Sequence, residues 1–367
     1  MSSTPVPPYG QSPLSVVQVL GGGSAGSSTH VRSLAAGLVA RGLRVTVCAP
    51  AGLEPGYDFG GAGAQFVSVP RRSDPAAVGA LRSACAGADL VHAHGLHAAV
   101  RSALALRGRG IPLVVTWHTR AHADGPRGHV VRLLERRAAK AAAVVLGTSS
   151  DLVDRARRRG ARDARLAPVS VPAPLPVARV KEGKARAELG AVERPLIIAV
   201  GSLVRGRGYG TLLDAARAWR DLDPVPLLIV AGEGRERADL QRRIEDESLP
   251  VKLLGRRDDI ADLLAVADVA VLASKWEGRS VVAQEALRAG VPLVATAVGG
   301  VPELVGDAAE LVPYGDTDAL AGAVVRLLAD PARRQWLAEA GRAQAAHWPT
   351  EDDTVAQVLS VYDELTG

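Results

Sequence analysis

The sequence predicts an α/β protein that uses one architecture twice, a parallel sheet wound with helices. Two observations carry this: short apolar runs alternate with helix-periodic stretches along most of the chain, and a proline-rich break near the middle separates two such series. The length points the same way, because 367 residues exceed one core of ordinary size and suit two domains.

The first series opens with an apolar strand at Ser15–Leu20, a glycine-rich turn, a helix from about Thr29 to Arg41 and a strand at Arg44–Ala49, which together make one βαβ unit. Strands at Asp89–His94, Leu113–Trp117 and Ala143–Gly147 follow, separated by helical stretches such as Val130–Lys140. Between Val171 and Lys181 the run Val-Pro-Ala-Pro-Leu-Pro sustains neither helix nor interior strand, since proline removes donors and restricts its neighbours. It reads as the linker.

The second series has strands at Leu196–Val200, Val225–Ala231, Val269–Ala273 and Leu293–Thr296, with a helix at Thr211–Arg220. Beyond Pro331 the chain is helical, bends at His347, Trp348 and Pro349, and ends in a helix expected to cross back to the first domain. The expected division is a flexible N-terminus at 1–13, a first domain at 14–180 completed by 350–367, and a second domain at 181–349.

Composition excludes several classes. Hydrophobic residues at 47% and charged residues at 23% suit a globular enzyme, with only 3% aromatics leaving cores of Ala, Val and Leu. The net charge of +5 is carried by arginine, and the cluster Arg155, Arg157, Arg158 and Arg159 reads as a solvated helix face. No basic-aromatic alternation suggests nucleic acid. Two cysteines, Cys48 and Cys85, lie within apolar patterns and indicate neither a disulfide framework nor a thiolate metal site, which suits the cytoplasm. The N-terminus has no signal-peptide pattern, and no later stretch approaches a membrane span. The basic balance mildly favours acceptors and peripheral association at the inner membrane face.

The chemistry is concentrated where strand Val269–Ala273 ends in Ser-Lys-Trp-Glu-Gly-Arg-Ser and a helix opens at Val281 with Ser280 placed to cap it. Ligands of open α/β sheets bind at strand carboxyl ends, and the free amides of Val281 and Val282, with the helix dipole behind them, suit a diphosphate. Glu277 lies in the loop and Glu285 one turn into the helix. Two carboxylates beside a diphosphate would repel it, so their partners are neutral: sugar hydroxyls for Glu277 and ribose hydroxyls for Glu285.

The segment Glu277-Gly-Arg-Ser-Val-Val-Ala-Gln-Glu285-Ala-Leu-Arg-Ala-Gly-Val-Pro resembles the Glu-x7-Glu signature of family-4 retaining glycosyltransferases of the GT-B fold. The resemblance extends through Gly299-Gly300-Val301-Pro302-Glu303, Val200-Gly201-Ser202-Leu203, Ala231-Gly232-Glu233-Gly234 and Leu254-Gly255. It implies two Rossmann-like domains facing a cleft, with the donor on the C-terminal one. It also implies an Arg and a Lys on the donor diphosphate. The matching positions are Ser202, beside Gly201, and Arg207, so the first cation is absent and Arg205 is the candidate substitute. The aromatic-glycine pair common after the first Glu is here Arg279-Ser280. The base is expected near Gly255 and Arg256.

In the first domain Gly21, Gly23 and Gly26 form a G-x-G-x-x-G, but the second strand ends Val47-Cys48-Ala49-Pro50 without the acid that a nicotinamide ribose requires. In the resembled family this loop approaches the acceptor and the donor phosphate, which selects Gly22, Gly23, Gly26 and Ser27. His92, His94 and His97 at one strand end and His118 at the next are candidates to line a cleft. A zinc hydrolase barrel is disfavoured, because His347 is the only histidine after His129. Thr116-Trp117-His118 resembles the family segment whose histidine contacts the donor sugar.

The resemblance thus implies a hexosyltransferase that uses a UDP- or GDP-linked sugar as substrate, needs neither metal nor cofactor, and acts on a small-molecule or lipid-linked acceptor. Two alternatives stay open: a catalytically weakened nucleotide-sugar-binding protein and a nucleotide-sugar epimerase.

Overall fold

A computed structural model describes residues 13–22, 25–70, 75–120, 126–170 and 182–367. The chain divides into two compact units, residues 1–171 with 349–367 and residues 172–348. The proline-rich segment at 171–181 lies outside the described residues, as does Gly23.

The first unit holds seven parallel strands: β1 Ser15–Leu20, β2 Arg44–Ala49, β3 Gln65–Ser68, β4 Leu90–His94, β5 Leu113–Trp117, β6 Val144–Gly147 and β7 Ala164–Leu166, in the spatial order β3-β2-β1-β4-β5-β6-β7. The second holds six: β8 Leu196–Val200, β9 Leu227–Ala231, β10 Val251–Gly255, β11 Val269–Leu272, β12 Leu293–Thr296 and β13 Glu310–Val312, ordered β10-β9-β8-β11-β12-β13. In each unit the first strand has the later ones laid on both sides of it. The order therefore reverses between β1 and β4 in one unit and between β8 and β11 in the other, where ligands of such sheets bind.

Strand periodicity explains the layers. Ile197, Val269 and Val271 face one core with Trp219, Leu228 and Val324, while their neighbours Ile198, Ala270 and Leu272 face another with Ala286, Leu287 and Leu293. Both faces of the sheet are covered, hence the unbroken apolar runs. The helix Ala25–Ala40 starts four residues earlier than periodicity indicates, because Ala25–Ser28 is polar and glycine-containing yet joins the first turn. Strands β3, β7, β10 and β13, which the apolar pattern does not reveal, are short and carry Gln65, Arg165, Lys252 and Glu310.

The C-terminal helix Glu351–Thr366 belongs to the first unit. Thr350 caps it, with Asp353 bonding back to the Thr350 amide. Its Val355, Val358 and Tyr362 enter the core with Leu34, Leu38 and Val114. Tyr362 is fully buried, accepting from Gln18 Nε2 at 2.8 Å and lying 2.6 Å from His92 Nδ1. Tyr362→Phe is expected to destabilise the unit by about 1–3 kcal/mol, because it strands a buried amide and a buried imidazole. Urea denaturation reads this directly, and an unchanged midpoint would show that the network does not hold the helix.

The arginine cluster is only partly a solvated face. Arg155 and Arg159 both donate to Glu135, itself 3% exposed, while Arg157 and Arg158 face solvent. Glu135 thus offsets one of the four positive charges internally, and Arg157 has Asp154 3.5 Å away at the surface. Cys48 and Cys85 are free and buried, and burial raises their thiols to about 12 and about 11. Among the described residues no helix is long and apolar enough to cross a membrane.

Candidate active site

In the second unit the loops leaving β8, β11 and β12 are laced by backbone contacts. The Lys275 amide donates to Gly206 O at 2.7 Å, the Gly300 amide to Glu277 O at 2.9 Å, and Thr296 Oγ1 to Ser274 O at 2.6 Å. Two glycines allow this approach. A Cβ on Gly208, at φ +74°, would lie 1.8 Å from Ala273 O, and one on Gly299, at φ +55°, would lie 2.0 Å from Glu277 O.

The lacing brings two sequence candidates into contact across the β8/β11 switch point. Arg207 Nη1 donates to Glu277 Oε1, which also accepts from Ser274 Oγ at 2.8 Å. The Glu277 side chain is 12% exposed and that of Arg207 37%, so the acid is mostly enclosed and the cation faces outward. Ser280 caps the helix Val281–Ala289 by accepting from the Ala283 amide at 3.3 Å. Val281 and Val282 stand at the first two helical positions, where an amide has no intrahelical acceptor. Glu285 is half-buried in the same helix, and burial raises its carboxyl above the usual range.

Other candidates fall differently. Arg205 is not drawn to Glu277: its side chain is 90% exposed, with Glu236 3.7 Å away. Ser202 is exposed and Arg256 is 83% exposed beside Gly255, whose carbonyl accepts from the Gly232 amide at 2.8 Å. Gly201 O accepts from the Tyr209 hydroxyl at 2.9 Å, a partly buried contact with no clear sequence signal. Arg279 lies over Trp348, 5.6 Å from the ring centroid. Burial lowers its guanidinium to about 10, and its Nε and Nη2 are buried without a hydrogen-bond partner among the described residues. A cation stacked on an aromatic thus stands where the resembled family has an aromatic.

In the first unit the switch point lies between β1 and β4. Gly22 ends the β1 turn with φ +86°, whereas Gly26 and Ser27 belong to the first turn of the helix Ala25–Ala40, with Ser27 buried. The histidines separate. His97 is exposed, and His92 lines no opening: it is fully buried, bonded to Thr116 Oγ1 at 2.7 Å and to Tyr362. His92 and His94 share a strand face, and that face lies under the C-terminal helix. His118 is half-buried, with Nε2 3.2 Å from His94 Nδ1, and His94 Nε2 is 2.7 Å from Gln18 Oε1. Burial holds His118 and His94 well below the ordinary imidazole value, so both are neutral near pH 7. His30, which no sequence motif singles out, stands beside them, its ring centroid 5.3 Å from that of His118. Arg101 was equally hidden: it is 1% exposed and donates to Pro70 O at 2.9 Å, tying the chain after β3 to the helix Leu96–Ala105.

A cation, two free helical amides and a carboxylate can together bind a diphosphate and an attached polyol. The family model of glycosyl transferases group 1 matches residues 181–344, and that of the glycosyl transferase 4-like domain matches residues 25–172. The alpha-D-kanosaminyltransferase of Streptomyces kanamyceticus is 32% identical over 287 residues, 70% of this chain and 71% of that protein. A GDP-mannose-dependent monoacylated alpha-(1-6)-phosphatidylinositol monomannoside mannosyltransferase of Corynebacterium glutamicum is 36% identical over 178 residues, 45% of this chain; the match spans 47%, about half, of that relative's length. The crystal structure of Anabaena HepE in complex with UDP superposes with a TM-score of 0.82 over 96% of this chain and 100% of that one, at 20% identity, a likeness of fold.

Proposed function

The chain belongs to family 4 of the GT-B glycosyltransferases, and we propose that it moves a hexose-type sugar from a UDP- or GDP-linked donor to an acceptor hydroxyl, with retention at the anomeric carbon and without a metal. The observation that carries this is the contact of Arg207 with Glu277 at the β8/β11 switch point, beside the capped start of Val281–Ala289.

In this reading the diphosphate rests on the amides of Val281 and Val282 and draws the outward-facing Arg207 guanidinium. Glu277 then receives sugar hydroxyls and Glu285 the ribose. The bond from the anomeric carbon to the phosphate oxygen breaks and the acceptor oxygen bonds on the same face. The acceptor proton passes to the departing diphosphate. Arg207 and the helical amides stabilise the charge that grows there, the term that usually dominates such catalysis. His118, neutral through burial, offers the sugar one hydrogen bond. Gly201 and Ser202, with Gly255 and Arg256, border the nucleotide. Gly22, Gly26 and Ser27 serve the acceptor side, where a small or lipid-linked acceptor is expected at the inner face of the membrane.

A thermal-shift panel of nucleoside diphosphate sugars tests this. One donor at a hundred times its Kd should stabilise the protein by about 2.7 kcal/mol, and with acceptor present nucleoside diphosphate should be released. Exposure of Ser202 at the position of the family's first cation favours a second reading, a nucleotide-sugar-binding protein with weakened turnover. Binding without transfer or donor hydrolysis would select that reading, and no shift with any donor would contradict both.

A further inference from the structure

We propose that His30, His94 and His118 form a binding site for a divalent cation of the zinc type. Their ring centroids make a near-equilateral triangle with sides of 5.7, 5.3 and 5.4 Å, and one ligand nitrogen from each lies within 4.8 Å of the others. A tetrahedral zinc with bonds of about 2.1 Å places ligand nitrogens about 3.4 Å apart. The His94 Nδ1 to His118 Nε2 separation of 3.2 Å is already there, and small ring rotations bring in His30.

The surrounding hydrogen bonds prepare the ligands. Gln18 Nε2 donates to the Tyr362 hydroxyl, which orients Gln18 Oε1 to accept from His94 Nε2–H at 2.7 Å. The Nδ1 lone pair of His94 is thereby directed at the cluster, the second-shell pattern of metal-bound histidines. Histidines alone favour a borderline cation over magnesium or calcium. Among the described residues no carboxylate joins them. His30 and His94 are each 4% exposed while His118 is half-buried, which gives the cation its entry side.

One consequence rests on the proposed function: a cation held by His118 Nε2 removes that nitrogen from the sugar, so zinc should inhibit transfer. The site itself is tested without activity, on the untagged full chain stripped with EDTA. Zinc titrated calorimetrically should bind one equivalent. Cobalt(II) should give the intense visible bands of a tetrahedral site, and crystals soaked in zinc should show one anomalous peak among the three rings. His30→Ala and His94→Ala should each weaken binding at least ~100-fold and Gln18→Leu about 10-fold, while His97→Ala changes nothing. Absence of one-equivalent binding to the wild-type chain, or binding that survives both alanine variants, would overturn the site. The cobalt and anomalous readouts use wild-type protein and stand if a variant misfolds. Zinc bound without inhibition would keep the site and remove His118 from the transfer step.

Discussion

Glu277→Gln and Arg207→Met should each lower kcat/KM about a hundredfold, equivalent to about 3 kcal/mol of transition-state binding. The two substitutions act through one contact but on different terms. Arg207 faces outward from an enclosed carboxylate, so on the proposed reading Glu277 holds the guanidinium ready for the diphosphate. Methionine keeps much of the stem and removes the charge, so the loss should fall mainly on kcat, where leaving-group charge develops. Glutamine keeps the shape of Glu277 but cannot hold Arg207 as firmly or accept two hydroxyls as strongly, so both kcat and KM should worsen. Because the residues share a contact, the double variant should lose clearly less than ten-thousandfold. Steady-state kinetics with the identified donor decides, and near wild-type turnover by either single variant would refute the roles.

The largest structural effect should come from one added methyl. Gly208→Ala puts a Cβ 1.8 Å from Ala273 O on a residue at φ +74°. The left-handed backbone alone costs about 1–2 kcal/mol for a residue with a side chain, and the clash is with backbone that cannot rotate aside. The β11 exit must shift, taking with it the Lys275 to Gly206 bond and the seat of Glu277. A stability loss on the order of 3 kcal/mol and at least a tenfold drop in activity are expected. Gly210→Ala is the matched control: two residues on, in the helix Tyr209–Ala218, its Cβ would meet no atom within 4 Å, and alanine should stabilise by roughly 0.5–1 kcal/mol. Urea denaturation of the two variants separates lacing of the loops from a general intolerance of the segment.

The difference between these neighbouring glycines marks what sequence can tell. The strand, loop and capped helix around Glu277, Ser280 and Glu285 were legible because each is specified by residues close in the chain, an apolar run followed by a cap and a periodic helix. Arg207 was legible only through its motif. Arg205, two residues away, reads equally basic, yet its side chain is 90% exposed beside Glu236, because loop direction is set by contacts with β9 and β11 that spacing does not encode. The histidines repeat the lesson. Alternation places His92 and His94 on one face of β4, but not that this face is closed by Tyr362 from 270 residues further along. Gln18, whose register partner is His92, was a polar residue inside an apolar strand, the one local hint of that buried network. His30 carried no such hint.

Crystallography of the chain soaked with the donor that stabilises it most tests the central claim. The diphosphate is expected on the amides of Val281 and Val282 with Arg207 turned onto it, Glu277 hydrogen-bonded to sugar hydroxyls and Glu285 to the ribose. A donor seated elsewhere, or bound with Glu277 and Glu285 directed into solvent, would contradict it.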